Sequence, residues 1–288
     1  MEKENDSIMI MYSGGLDSTL QAFRLGQKYK EVHLLTFDLS LTVGVNNSRK
    51  NIANLQSACP ESKIVHNIIN INATRKLFWS KFPKDYFLFC NRTSPAILCL
   101  SCKMAMLAET IKYCLDHNIH EISNGLTGSQ SDHPEHLPAI VNRFTRYMAE
   151  YGIQFVNNIY DIPNREMEKE ELKKHGIDTG LIIGASNVSH QPRCFVGVYS
   201  TLWKAYRTYN RNKVIEYFDQ NKAILDKILK DYNKVEPSDI LNRSTLVDES
   251  GGYVYTHEFG PLMDKVIGTA LWPVWFMSRQ IFKIKKLG

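Results

Sequence analysis

A short apolar segment that runs through two adjacent glycines into a helical pattern constrains the fold more than any other feature of this sequence. Residues 7–12 are typical of a buried strand, and apolar residues recur at helical spacing over residues 17–28. Gly14 and Gly15 stand between the two patterns, where they permit a tight turn. We therefore predict that the chain opens with a strand, a tight turn and a helix.

Strand and helix patterns alternate beyond this first unit. We predict strands at residues 31–39, 62–71, 121–126 and 154–160, and helices at residues 48–58, 98–117, 138–151 and 165–174. Such alternation indicates an α/β fold with a parallel sheet, right-handed crossovers and flanking helices. Residues 75–94 are interpreted as a helix end followed by a loop. A polar loop around Cys194 is followed by a mostly helical pattern.

Composition narrows the class of protein. The chain has 288 residues, 43% hydrophobic and 23% charged, which is typical of one large α/β domain with an appendage. The net charge of +5 weakly favours an RNA or nucleotide ligand. Residues 1–6 are polar, and the apolar stretch at residues 266–277 is shorter than the roughly 20 residues of a membrane-crossing helix. We therefore expect a cytoplasmic protein with no transmembrane segment.

The residues around the two glycines have the chemistry of a phosphate-binding loop. At a helix start, backbone N–H groups and the helix dipole attract an anion, and glycine lets the chain approach it closely. The Asp17 carboxylate suits this position and can help hold Mg²⁺ between phosphates. No lysine follows at the spacing of the GxxxxGK(S/T) loop. The candidate nucleotide-binding residues of this segment are Ser13, Gly14, Gly15, Leu16, Asp17, Ser18 and Thr19.

Six cysteines in a chain without a recognisable signal peptide favour thiol or metal chemistry over disulfides. Cys99 and Cys102 form a CxxC at the start of a predicted helix, and Cys194 follows much later. Three thiolates suit a 4Fe–4S cluster with one open iron. The alternatives are a two-thiol persulfide mechanism without iron, or packing as small buried hydrophobes. The other cysteines, assigned to packing, are Cys59, Cys90 and Cys114.

The string SGGLDS at residues 13–18 resembles the SGGxDS motif of the PP-loop superfamily, the N-type ATP pyrophosphatases. The resemblance implies a Rossmann-like, HUP-type fold. It also implies that ATP and Mg²⁺ bind, and that ATP is cleaved between its α- and β-phosphates. In this chemistry a carbonyl oxygen is adenylated and a nucleophile then displaces AMP.

Further nucleotide contacts are expected at the carboxyl ends of the strands, where ligands of open α/β sheets bind. Phe37 and Asp38 end the second predicted strand and are expected near the adenine and ribose, while Asp38 is equally suited to capping the next loop. Where Gly125 stands, family members bring backbone against the α-phosphate. At the positions of Asp161 and Lys169, members of the family carry a polar strand end and a helix lysine.

Residues 99–125 resemble the CxxC–helix–strand–glycine segment of the tRNA 2-thiolation enzymes. Those enzymes also carry a third cysteine about where Cys194 stands. The resemblance implies that Cys99, Cys102 and Cys194 hold a 4Fe–4S cluster and deliver sulfur to a carbonyl. The chain differs in having GLTGSQ at residues 125–130, where those enzymes have Gly-His-x-x-Asp-Asp, and in lacking their zinc-ribbon cysteines.

A second resemblance joins the chain to the 7-cyano-7-deazaguanine synthases. It rests on the loop with Asp132, His133 and Pro134, and on the later Lys169. The clustered four-cysteine zinc site of those enzymes is absent from this sequence. The likeness implies an adenylating enzyme that uses ammonia where the thiolation enzymes use sulfur.

Two other segments are candidates for substrate contact. The loop containing Asp132, His133, Glu135 and His136 is interpreted as a solvated active-site flap rather than a metal site. A later segment alternates basic and aromatic residues, which either stack bases and neutralise phosphates or form a solvated helix face with buried rings. Its members are Trp203, Lys204, Tyr206, Arg207, Tyr209, Arg211 and Lys213.

The sequence therefore predicts a PP-loop ATP pyrophosphatase domain over residues 1–200 and a mostly helical region over residues 201–288. The predicted activity is an ATP-dependent adenylating sulfur transfer, with the three cysteines and Asp17 as catalytic residues and a sulfur donor as partner. The alternatives are an amide- or nitrile-forming enzyme with structural cysteines, and a nucleotide-binding protein without turnover. Whether the acceptor is tRNA or a small molecule stays open, as does homodimer formation.

Overall fold

A computed structural model describes residues 5–39, 42–79, 94–126, 133–159, 165–177, 181–183, 186–188, 192–194 and 209–249. The strands in these ranges are β1 (Asn5–Met11), β2 (Tyr29–Asp38), β3 (Thr42–Val43), β4 (Lys63–Asn70), β5 (Glu121–Asn124), β6 (Gln154–Phe155), β7 (Leu181–Ile183), β8 (Ser186–Val188) and β9 (Arg193–Cys194). The α-helices are α1 (Leu16–Gly26), α2 (Ile52–Ala58), α3 (Asn72–Trp79), α4 (Ser94–Asp116), α5 (Pro138–Ala149), α6 (Arg165–Lys174), α7 (Arg211–Ile228) and α8 (Ser238–Arg243).

A five-stranded parallel sheet forms the centre of the fold. Its strand order is β4–β2–β1–β5–β6, so the first strand is central and the later strands are added on both sides of it. On β1, Ile8 lies opposite Val32 of β2, and Met9 lies opposite Ile122 of β5. Parallel strands joined by helices in this order confirm the predicted Rossmann-like α/β fold.

Helices cover both faces of the sheet. The consecutive residues Ile8, Met9 and Ile10 are each 0% exposed, which requires packing on both sides of the strand. Ile8 and Ile10 share a core with α1, α2 and α6, while Met9 shares a core with α4, α5 and α7. The helix α7, from the region predicted as mostly helical, is therefore packed into the same core as the sheet. The domain boundary at residue 200 stays a prediction.

Residues 75–79 are the end of α3, as predicted for the start of the segment 75–94, and Phe78 there is buried beneath α4. The structure differs from the sequence prediction at three elements. The helix predicted from residue 48 begins as a 3-10 helix at Val45–Asn51. The strand predicted to residue 160 pairs only over β6, because the short β5 offers it partners only at Glu121 and Ile122. Cys194, predicted in a loop, lies in β9, which pairs antiparallel with β3.

Several sequence predictions fall outside the described residues. They concern Cys90, Asp132, Asp161, Trp203, Lys204, Tyr206, Arg207 and residues 266–277. Among the helices that the structure does describe, none combines the length and the apolar character needed to cross a bilayer.

The end of α1 packs on Cys59 so closely that no side chain fits. A Cβ atom on Gly26, the last residue of α1, would lie 2.6 Å from the Cys59 sulfur. Cys59 is 1% exposed and lies in a hydrophobic core, which agrees with the packing role predicted for it. The contact therefore fixes the distance between α1 and the chain that follows α2.

We expect Gly26→Ala to lower the free energy of unfolding by about 1–3 kcal/mol, the usual range for overpacking a core. Adding Cys59→Ala removes the opposing sulfur, so the double variant should recover much of this loss. Urea unfolding of the wild type, both single variants and the double variant measures the coupling. Strictly additive losses would contradict a direct clash between these two residues.

Candidate functional site

The predicted phosphate loop connects the carboxyl end of β1 to the amino end of α1. The Tyr12 amide donates to the carbonyl oxygen of Leu35 at 2.8 Å, so strand pairing continues up to the loop. Gly14 has a φ of 72°, a left-handed conformation that favours glycine. Gly15 is extended and is the N-cap of α1, and it supplies no side-chain cap. The loop thus presents a helix N-terminus of the kind that binds anions.

Gly14 is packed against the 3-10 helix that follows β3. A Cβ atom on Gly14 would lie 2.7 Å from the Cα atom of Ser48, so no larger residue fits without moving the backbone. Ser48 itself is buried and its hydroxyl donates to the carbonyl oxygen of Val45 at 2.8 Å. Sequence reasoning missed this contact, because Ser48 lies in a segment predicted as ordinary helix.

Gly125 holds the end of β5 against the first turn of α1. A Cβ atom on Gly125 would lie 2.7 Å from the Ser18 amide nitrogen and 2.9 Å from the Ser18 Cα atom. Nearby, the Gln21 Nε2 donates to the Ser123 hydroxyl at 2.5 Å and ties the helix to the same strand. Backbone from β5 therefore lies directly beside the helix start, in the position predicted for Gly125.

The serine hydroxyls of the loop bond mainly to the loop itself. The Ser13 hydroxyl accepts from the Gly15 amide at 3.2 Å, and the Ser18 hydroxyl accepts from the Ser13 amide at 3.3 Å. The Ser18 hydroxyl donates to the Gly15 carbonyl oxygen at 3.2 Å. Thr19 is buried and its hydroxyl lies 3.4 Å from the Tyr12 hydroxyl. These hydroxyls, predicted as donors to phosphate, shape the loop in the structure described here.

A histidine that sequence reasoning missed supports the loop through Thr36 of β2. The Thr36 hydroxyl donates to the Tyr12 carbonyl oxygen at 2.8 Å and lies 2.9 Å from His66 Nε2. Because the hydroxyl proton is used on Tyr12, His66 must donate from Nε2 to Thr36. Burial, with a smaller effect of Arg49, lowers the pKa of His66 from 6.5 to about 4. His66 is therefore neutral at physiological pH, and in this state its proton is on Nε2.

His66 makes stability depend on pH with a defined sign. Its folded pKa of about 4 lies below the ordinary 6.5, so its stabilising contribution is complete above pH 6.5 and is lost as the pH falls toward 4. We expect His66→Gln, which keeps an N–H donor, to show a shallower loss of unfolding free energy over this interval. The slope should differ by up to about 1.4 kcal/mol per pH unit, the value for one proton.

Urea unfolding at several pH values measures this difference between variant and wild type. Other buried histidines, such as His33 and His136, also have lowered pKa values. Their contribution is common to both proteins and cancels in the comparison. Parallel stability curves for the variant and the wild type would contradict the role assigned to His66.

The residues predicted near the adenine and ribose lie at the carboxyl edge of the sheet. Asp38 is the last residue of β2, where its carboxylate accepts from the Asn70 side chain at 3.3 Å. Its carbonyl oxygen accepts from the Ile71 amide at 3.1 Å. Phe37 is 8% exposed and belongs to the core beside Met9. Asp38 thus stands at the expected edge, and contact of either residue with a nucleotide stays a prediction.

Lys169 is buried on α6, which packs on α1. Its ammonium lies 2.7 Å from the Glu166 carboxylate, and this partner lowers the pKa of Glu166. Arg24 of α1 and Glu171 of α6 form a second ion pair at 2.7 Å, which fastens the two helices together. The contacts described for Lys169 are thus with its own helix, and its predicted contact with phosphate stays a prediction.

Cys102 and Cys194 both interact electrostatically with a buried arginine. Cys102 is on α4 and Cys194 is on β9, and each is close enough to interact electrostatically with the guanidinium of Arg75 on α3. Burial, reinforced by Cys194, raises the pKa of the Cys102 thiol to about 12. Cys102 is therefore a neutral thiol at physiological pH. Two of the three cysteines grouped by the sequence are thus brought together.

The three cysteines are not arranged as a metal site in the part of the chain that is described. No group of three or more His, Cys, Asp or Glu side chains there is placed to hold a metal ion. Cys99 precedes Cys102 by one turn on α4 and is partly exposed. This geometry gives the predicted 4Fe–4S cluster no support. Cys114 is a free, fully buried cysteine, in agreement with its predicted packing role.

Parts of the predicted flap and of the basic aromatic segment are also visible. The flap includes a 3-10 helix at Pro134–His136, in which Pro134 is buried and Glu135 and His136 are partly exposed. Burial, with smaller effects of His133 and Lys103, lowers the pKa of His136 well below its usual value, so His136 is neutral at physiological pH. Substrate contact by this segment stays a prediction. In the second segment, Lys213 lies 2.8 Å from Glu216 and its charge is partly satisfied.

Known proteins were compared with the chain as a whole. The family model of the queuosine biosynthesis protein QueC matches residues 7–194. The comparison with curated proteins found no match. One similar solved structure is the predicted subunit of a tRNA methyltransferase from Methanocaldococcus jannaschii, with 13% sequence identity and a TM-score of 0.40. That match covers 66% of this chain and 96% of the other.

The family match covers well over half of the chain. It begins within β1 and ends at Cys194, so it includes the phosphate loop, Gly125 and α6. These are the elements that form the sheet edge and the helix N-terminus described above. The chain therefore belongs to the QueC family, within the PP-loop ATP pyrophosphatase superfamily.

Proposed function

We propose that the chain is an ATP-dependent adenylating enzyme that forms an amide or a nitrile from a carboxylic acid and ammonia. The observation that carries this proposal is the glycine-lined N-terminus of α1. Gly14 packs on Ser48 and Gly125 packs on Ser18, both with no room for a Cβ atom. Family membership supports ATP as the ligand of this anion site.

The proposed chemistry uses the site as follows. The backbone N–H groups at the start of α1 hold the β- and γ-phosphates, and Asp17 in the first turn helps hold Mg²⁺. A carboxylate oxygen of the acceptor attacks the α-phosphorus, and pyrophosphate leaves. Ammonia then adds to the activated carbon, and AMP leaves with the original carboxylate oxygen. Because the carbon stays at the acid oxidation level, no redox cofactor is needed.

A deazaguanine carboxylic acid is the acceptor class we propose. The QueC family is named for queuosine biosynthesis, and the flap resembles that of the 7-cyano-7-deazaguanine synthases. A nitrile on the deazaguanine ring is reached from the corresponding acid by way of the amide, whose oxygen is adenylated by a second ATP and then leaves with AMP. The clustered four-cysteine site of those synthases is absent from this sequence, so their zinc has no counterpart in the proposal.

The nucleotide site can be tested with two glycines of matched conformation. Gly14 and Gly176 have φ values of 72° and 71°, but of the two only Gly14 would bring a Cβ atom within 4 Å of another residue that the structure describes. Alanine adds similar backbone strain at both positions. We expect Gly14→Ala to weaken binding of Mg²⁺ and a non-hydrolysable ATP analogue at least about tenfold, because displaced N–H groups lose charge-assisted bonds.

Isothermal titration calorimetry measures both variants and the wild type. Gly176→Ala should bind like the wild type even if it is somewhat less stable. Nucleotide binding that is equally strong in Gly14→Ala and in the wild type would be incompatible with the proposed site. Gly125→Ala gives an independent check on the opposite side of the loop, and the same loss of affinity is expected there.

Sulfur transfer remains a second candidate because Cys102 and Cys194 interact electrostatically with each other and with Arg75. In this alternative the outer sulfur of a persulfide, loaded by a sulfane-sulfur donor, replaces ammonia as the nucleophile. The second thiol then breaks the S–S bond and releases the product, and an external thiol reduces the disulfide that forms. The acceptor is then a carbonyl of a tRNA base or a small molecule. The raised pKa of Cys102 weighs against it, because the thiolate is the reactive form.

Cysteine variants separate the two candidates. If ammonia is the nucleophile, Cys102→Ala and Cys194→Ala should keep ammonium-dependent formation of AMP. A two-thiol sulfur transfer requires loss of activity in both variants but not in Cys99→Ala, whereas a three-cysteine cluster requires loss in all three. AMP and the acceptor product are quantified by chromatography with ammonium, or with a sulfane-sulfur donor and a thiol reductant, as the only source of the nucleophile. Turnover that requires the sulfur donor and does not occur with ammonium would contradict the amide- or nitrile-forming function.

A further inference from the structure

Arg75 is a buried cation with unsatisfied donors. It lies on α3, is 3% exposed, and its Nε and Nη1 atoms form no hydrogen bond with any described residue. Its guanidinium stacks on the Trp79 ring, 4.2 Å from the centroid. A cation–π contact offsets only part of the cost of removing a guanidinium from water. Such a side chain is expected to have an anionic partner.

Neighbouring contacts hold Arg75 in place, so its guanidinium cannot move into solvent to find an anionic partner. The Trp79 indole donates to the Ser101 hydroxyl at 3.0 Å, and Thr74 is hydrogen-bonded to Glu109. Both contacts fasten α3 to α4 on either side of Arg75. The guanidinium is thereby held beside the thiol groups of Cys102 and Cys194, in an otherwise largely apolar setting.

This position is next to the proposed nucleotide site. The Ile71 amide donates to the Asp38 carbonyl oxygen at 3.1 Å, and the Arg75 amide donates to the Ile71 carbonyl oxygen at 2.9 Å. α3 therefore starts at the carboxyl edge of β2. β2 is the direct neighbour of β1, whose carboxyl end leads into the phosphate loop. A molecule held by Arg75 would lie on the same sheet edge as ATP.

The charge balance selects a singly charged ligand. Asp38 acts electrostatically on Arg75, and Glu135 acts on the adjacent Cys102. These two carboxylates oppose the approach of a phosphate dianion. One carboxylate group matches the single unsatisfied guanidinium and also fits its planar N–H donors.

We propose that Arg75, stacked on Trp79 and flanked by Cys102 and Cys194, is the subsite that binds a carboxylate group of the acceptor. The assignment of this carboxylate to the acceptor rests on the proposed function, while the anion site itself does not. Arg75 holds the carboxylate through its N–H donors, and a lone pair that accepts no hydrogen bond from Arg75 attacks the α-phosphorus. The bonds formed and broken are those of the adenylation described above.

Iodoacetate is a probe that needs no knowledge of the acceptor. It carries a carboxylate, and its methylene carbon alkylates a nearby thiolate with loss of iodide. Iodoacetamide is its neutral counterpart. If Arg75 binds the carboxylate, iodoacetate should alkylate Cys194, because the Cys102 thiol is kept protonated. The rate ratio of iodoacetate to iodoacetamide should exceed that of free glutathione at least about tenfold, the size of a charge-assisted hydrogen bond.

Three measurements on the full chain, with labelling mapped by mass spectrometry, decide the proposal. In the wild type, iodoacetate labelling should saturate and be slowed by benzoate but not by benzamide. Arg75→Gln should reduce the rate ratio to that of glutathione, and Arg75→Lys should keep part of the preference. Calorimetric ATP binding should be unchanged in Arg75→Gln.

A wild-type rate ratio like that of glutathione, with no protection by benzoate, would overturn the proposal even if Arg75→Gln does not fold. Stronger protection by sulfate than by benzoate would overturn the choice of carboxylate. These results are distinguishable from failure of the proposed function. That failure would appear as absent ATP binding in a protein that still shows the carboxylate preference at Cys194.

Discussion

Close backbone packing around the start of α1 is the constraint on which the site depends. Gly14 lies against Ser48 on one side, and Gly125 lies against Ser18 on the other, with no space for a Cβ atom in either contact. The helix N-terminus is thereby fixed to the carboxyl ends of β1 and β5. Preorganised N–H groups bind an anion without a further cost of ordering the loop. The neutral His66 and the Thr36 hydroxyl support the same loop from β4 and β2.

The parallel sheet places a second polar centre beside this loop. β2 is the neighbour of β1, and at its carboxyl end Asp38 meets the start of α3. Arg75 follows one turn later and faces the two cysteines from α4 and β9. An anion-binding loop and a buried cation on adjacent strands give an edge that can receive two charged reactants. Adenylation of a carboxylate by ATP requires such a pair of subsites.

Sequence patterns predicted the parts of the fold that are determined by residues close together in the sequence. The buried β1 strand, the turn at Gly14 and the α/β alternation follow from apolar spacing and from the conformational freedom of glycine. Ser48, His66 and Arg75 were missed because each is a single polar residue within an otherwise ordinary element. Their importance comes from contacts made across the fold. Periodicity in one segment carries no information about such contacts.

The cysteines show that sequence spacing can also predict a contact that the fold does not make. Their spacing suggested one three-thiol centre, but only an electrostatic interaction joins Cys102 to Cys194, and no group of three ligands is found among the described residues.

Attack of a carboxylate on the α-phosphorus is the central chemical claim, and oxygen transfer tests it most directly. With a deazaguanine carboxylic acid labelled with ¹⁸O in its carboxyl group, ATP and ammonium, we expect AMP that carries one ¹⁸O atom. Unlabelled AMP, or ADP and orthophosphate as products, would contradict it.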